Sequence, residues 1–157
     1  MDNDRRDLVA QMKNRALIYM EIYDVLSAEL GAAKAEALLA KAIYQRGLSA
    51  GKSLAQHAPA DLAGLKASFL ASVPGGEEIF QPQVLRCDAG ALEMQLHGCP
   101  LKDAWRDAGL AEEKVATLCR IAGAVDKGLF EGAGFKFENR TWAPGREGCC
   151  FLSIQPC

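Results

Sequence analysis

The tripeptide Pro74-Gly75-Gly76 stops any helix that reaches it, and the hydrophobic patterning of the chain changes character on its two sides. Before it, the periods are helical. From Asp4 to about Leu30, apolar residues recur at Leu8, Met12, Tyr19, Ile22 and Leu26, with Arg15 as an exception and Gly31 as the C-cap. The Ala-rich stretch from Ala32 to about Leu54 predicts a second helix. In it, Gly47 and Gly51 lie one turn apart and read as a close approach of another backbone rather than a break. His57-Ala58-Pro59 is a connector, and Asp61 is a good N-cap for a third helix through about Ser72.

Beyond the tripeptide, extended runs begin. Gln83 to Cys87 and Ala91 to His97 flank Asp88-Ala89-Gly90 and predict a β-hairpin. Pro100 suits the first turn of a short helix to about Ala108, capped by Gly109. Glu112 opens another, ending near Lys127 before Gly128; Gly128, Gly132 and Gly134 read as punctuation before a strand. Phe135 to Trp142 and Cys149 to Ile154, around a Pro/Gly-rich loop, predict a second hairpin. The fold class is therefore α+β. A helical N-terminal half precedes an antiparallel sheet of about four strands (ββααββ) covered by helices. Residues 1–157 read as a single domain, with a helical part at 1–75 and a cysteine-bearing α+β part at 79–157.

With 157 residues, 50% of them apolar, the chain can close a core without metals or disulfides. Its net charge of −2 comes from intermixed acids and bases, which suggests neither a nucleic-acid footprint nor an acidic tail. The charged start, Asp2 to Asp7, lacks the apolar segment of a secretory signal. No stretch approaches the roughly 18 apolar residues of a membrane span, so a cytoplasmic location is expected. In that compartment the six cysteines would be reduced, and their placement is better weighed as chemistry than as a disulfide framework.

Cys99 precedes Pro100, where an N-cap belongs, so its sulfur would face the unpaired amides at the positive end of a helix. That position favours a thiolate, the form that acts as nucleophile or metal ligand; a small buried cysteine at a strand-helix junction is the competing reading. Cys119 and Asp126 are seven residues apart on the next helix and share a stripe at the margin of its apolar face. There a carboxylate could move protons, hold a metal or bind a substrate amine, or simply pair with Arg120 or Lys127. Cys149 and Cys150 begin a strand and should point to opposite sides. Cys150 groups with Leu152 and Ile154, and Cys149 with Phe151 and Ser153; which of them faces the site stays open.

His97, two residues before Cys99, is a candidate general base or metal ligand, against a solvent-facing strand end. Lys136, Glu138, Arg140 and Trp142 share a strand face, and Glu93, Gln95 and His97 another. These are candidate pocket walls or solvated outer faces. Cys99, Cys119 and one of Cys149 and Cys150, with Asp126 or His97, would make a zinc-compatible set, but no Cys-x-x-Cys pair or His-Glu-x-x-His motif supports it. The expectation is no cofactor, with zinc as the alternative. A small-molecule substrate is the expected partner, and the apolar first helix and Ala-rich second helix would suit a homodimer or a monomeric core.

His97-Gly98-Cys99-Pro100, Leu118-Cys119 seven residues before Asp126, and Gly148-Cys149-Cys150-Phe151 together resemble the L-2-amino-thiazoline-4-carboxylic acid hydrolase family over roughly residues 80–155. There is a more distant likeness to 4-vinyl reductase-type ligand-binding domains. The first resemblance implies hydrolytic opening of a cyclic amidine-like carbon–nitrogen bond. Cys99 would attack, Asp126 would move protons, and Cys119 and His97 would support them; Arg140 or Arg15 would hold a substrate carboxylate, beside Glu138. A metal-bound hydroxide is the competing mechanism. The second implies a non-catalytic small-molecule or zinc-binding module.

Overall fold

Asp2 accepts the backbone N–H of Arg5 on its side chain at 2.8 Å and so opens α1, Asn3–Leu30. This computed structural model describes residues 2–157. Gly31, at φ +86°, turns the chain directly into α2, Ala32–Gly51. The helix expected to reach Leu54 instead tightens into a 3₁₀ segment, Lys52–His57. Asp61 caps α3, Leu62–Ser72, by accepting the Gly64 N–H at 2.9 Å. A single turn, α4 (Glu77–Phe80), follows the Pro-Gly-Gly stop and was not evident in the patterning.

Strands β1 (Pro82–Cys87) and β2 (Leu92–Leu96) form the first hairpin. In its turn, Asp88 Oδ1 accepts the N–H groups of Gly90 and Ala91. Then come α5 (Pro100–Asp107), α6 (Glu112–Gly132), β3 (Lys136–Arg140) and β4 (Phe151–Gln155). The sheet is antiparallel with order β1-β2-β4-β3, so the two hairpins meet through β2 and β4. Leu92, Met94, Leu96, Phe137, Leu152 and Ile154 are buried on its inner face, while Glu138 and Arg140 are exposed on its outer face. The α+β reading thus holds.

Two expectations change. The first concerns α6, which does not stop before Gly128 but runs through Gly132. A Cβ on Gly128 would lie 2.2 Å from the Tyr44 carbonyl oxygen, and one on Gly47 would lie 2.9 Å from the Gly128 Cα. These glycines let α2 and α6 touch backbone to backbone, and only Gly134, at φ +95°, acts as punctuation. The second concerns Ile22, expected on the core stripe of α1. It is 40% exposed, because α1 buries Met12 and Ala16 instead.

Candidate functional site

The C-terminal end of β2, the N-terminal end of β4 and the start of α5 lie together, and this convergence builds a cysteine cluster. Cys99 is the N-cap of α5, and its Sγ accepts the Lys102 N–H at 3.5 Å, as the spacing anticipated. Its thiol nevertheless titrates well above the ordinary range. The hydrogen bond with Cys149 and burial raise it, and the Lys102 and Leu101 amides only partly oppose them. The helix terminus is present, but desolvation and a neighbouring thiol outweigh it.

Cys149 and Cys150 also depart from expectation. Their sulfurs are 3.8 Å apart, which opposite faces of a regular strand would not allow. They precede β4, and Leu96 bonds both: its carbonyl accepts the Cys149 N–H and its N–H donates to the Cys150 carbonyl, each at 2.8 Å. Gly148, at φ +72°, sets up this turn. Cys149 is the buried member and meets Cys99, whereas Cys150 is half-buried. The Cys149 thiol is also pushed up, chiefly by its hydrogen bond with Cys150.

Buried Cys119 comes from α6, and burial, reinforced by nearby Cys99, pushes its thiol up to about 12. Asp126, seven residues along the same stripe, is pushed up to about 7 by desolvation. The anticipated ion pairs do not form, because Arg120 bonds Glu36 and Lys127 reaches Glu131. Between Cys119 and Asp126 on that stripe, Gly123 faces Asn139 and Thr141. Asn139 Nδ2 donates to the Gly123 carbonyl at 3.3 Å, leaving Asn139 Oδ1 buried without a partner among the described residues.

Lys102 belongs to the cluster and was not singled out from the sequence. It is 8% exposed and donates from Nζ to the Gly148 carbonyl at 3.1 Å; among the described residues no carboxylate pairs with it. Its charge acts on Cys119, lowering that thiol's affinity for its proton against the net upward shift. Trp142, expected on a polar strand face, lies past the end of β3 and is buried. The Lys102 Nζ and the Arg106 guanidinium lie 6.0 and 5.7 Å from its ring centre. One signal could have revealed Lys102: a basic residue in the first turn of a helix works against the helix dipole and needs another reason to be there.

The remaining candidates lie elsewhere. His97 is exposed and its Nε2 bonds Gln83 Oε1 at 2.9 Å. Glu138 and Arg140 border an open hollow on the outer sheet face, where the Arg140 guanidinium stacks 4.5 Å from the Phe151 ring centre. Arg15 is exposed on α1. Among the described residues, no three of His, Cys, Asp and Glu are arranged to hold a metal ion. Of the proposed zinc set, Cys149 meets Cys150 and Cys99, Cys119 lies near Cys99, and the Lys102 Nζ is held beside them by the Gly148 carbonyl.

Residues 11–152, which carry the cysteine cluster and nearly all of the fold, match the family model described as L-2-amino-thiazoline-4-carboxylic acid hydrolase. The chain belongs to this family. The match includes the helical half as well as the sheet, so the L-2-amino-thiazoline-4-carboxylic acid hydrolase unit comprises both sides of the Pro-Gly-Gly stop. No curated protein matches the chain. Among solved structures, it is similar to the phenol-responsive sensory domain of the transcription activator PoxR with phenol. That likeness covers 99% of this chain and 92% of the other at 16% identity, with a TM-score of 0.55. At that identity the shared property is the fold.

Proposed function

We propose that this member of the hydrolase family opens a carbon–nitrogen bond in a small cyclic amidine-like substrate, with Cys99 as the attacking group. The observation that carries the reading is the Cys99 sulfur at the start of α5, beside the buried and carboxylate-free Lys102. The compound in the family's name combines a carboxylate with an amidine-like ring carbon. Lys102 offers a fixed positive charge to such a carboxylate, and its backbone N–H bonds the Cys99 sulfur.

In the proposed sequence, Sγ bonds to the ring carbon while the thiol proton passes to the ring nitrogen, and the carbon–nitrogen bond then breaks as the exocyclic amino group closes a C=N bond and gives up a proton to the ring nitrogen, which leaves as an amine. Water then attacks the same carbon and expels Cys99, which recovers a proton, so one water is consumed per turnover. The resemblance to the family makes Asp126, whose carboxyl burial pushes up to about 7 and which lies two turns along α6 from Cys119, the proton carrier of this scheme, with Cys119 supporting Cys99.

A non-catalytic small-molecule-binding module is the second reading, and the likeness in fold to a phenol-responsive sensory domain favours it. Incubation of the purified chain with L-2-amino-thiazoline-4-carboxylic acid, following ring opening by chromatography and binding by calorimetry, separates the two. Hydrolysis predicts turnover by the wild type, loss of at least about 100-fold in Cys99→Ser with an unchanged melting temperature, and weakened binding in Lys102→Met. Binding without turnover supports the second reading, and full turnover by Cys99→Ser overturns covalent catalysis.

A further inference from the structure

Helix α1 carries a second apolar stripe that the fold does not use. Ile18, Ile22 and Val25 are 49%, 40% and 63% exposed, and with Arg15 before them and Glu29 after them they follow the alternating three- and four-residue spacing of a helix-packing seam. The helix's buried residues, Met12 and Ala16, lie on another side. This outer stripe is a firm surface, because α1 is tied to the body by the Lys13–Asp107 ion pair and by Trp105 Nε1 donating to the Ala16 carbonyl.

We infer that α1 is the interface of a two-fold homodimer, packed antiparallel against α1 of a second copy with the axis beside Ile22. Charge complementarity selects this occupant and this direction. Arg15 and Glu29 are both exposed, have no ion-pair partner among the described residues, and lie seven residues on either side of Ile22. An antiparallel partner centred there brings each Arg15 opposite a Glu29 and sets Ile18 near Val25. A parallel partner would oppose arginine to arginine and glutamate to glutamate. The interface is self-complementary and closes at two chains.

Sedimentation of the full chain over a micromolar concentration series tests this. The wild type should sediment as a dimer, and Ile22→Asp as a monomer with an unchanged circular dichroism spectrum. Arg15→Glu and Glu29→Arg should each weaken association about tenfold by opposing like charges across the axis. The double variant should recover most of that loss. A monomeric wild type, a dimer indifferent to Ile22→Asp, or a double variant weaker than both singles overturns the proposal.

Discussion

At Cys99, two local effects oppose each other. Its N-cap position brings the amides of Leu101 and Lys102 to its sulfur, which favours a thiolate, while Cys149 and burial favour the thiol and win. Asp126 has no such contest, because desolvation alone raises it from the ordinary 3.8 to about 7. At low pH the folded and unfolded chains both hold this proton. Between about pH 4 and pH 7 the unfolded chain loses it first, so stability falls as pH rises through that window and levels off above it. The full shift corresponds to about 4 kcal/mol, and the side chain's residual exposure argues for about half of that. Asp126→Asn should therefore match the wild type in urea denaturation at pH 4 and exceed it by roughly 2 kcal/mol at pH 8. Equal stabilities at pH 8 would show that the carboxyl is solvated. The positions of Cys99, Cys119 and Asp126 were legible as spacing. The protonation of Cys99 was not, because it depends on Cys149, fifty residues away.

The α2–α6 contact shows how an element can hide from sequence reading. Gly47 and Gly51, embedded in a helical pattern, pointed to a close approach, and the structure supplies the partner: Gly128 and Gly132 of α6. Those two glycines look like helix terminators, since glycine ends helices and opens packing surfaces alike, and only the neighbour distinguishes the roles. Gly128→Ala would drive a methyl group against the Tyr44 carbonyl oxygen on one side and Gly47 on the other. It should cost about 3 kcal/mol in chemical denaturation, even though alanine is the better helix former. A stability equal to or above the wild type would mean that α2 and α6 can separate freely. On α1 the difficulty is of another kind. Apolar residues line two sides, and periodicity alone merged them into one stripe containing both Met12 and Ile22.

Across the whole molecule, the helical half and the sheet half share a single core. Met12, Ala16, Leu39 and Leu65 from before the Pro-Gly-Gly stop are buried in one cluster with Leu92, Trp105, Leu118 and Leu152 from after it. The two parts should therefore unfold together. Tryptophan fluorescence, reporting Trp105 and Trp142, and far-ultraviolet circular dichroism, dominated by the helices, should give coincident urea transitions. Separate midpoints would indicate two units. The sequence by itself determined the main helices, the antiparallel sheet and the cysteines from which the cluster is built, because period, caps and turn residues act over a few positions. Only the tertiary structure decided that Cys149 is the thiol that meets Cys99, that Lys102 is buried without a carboxylate, and that Glu138 and Arg140 lie on the outer face. Those outcomes depend on burial and on partners distant in sequence, which local pattern at most hints at, as the basic residue in the first turn of α5 does for Lys102.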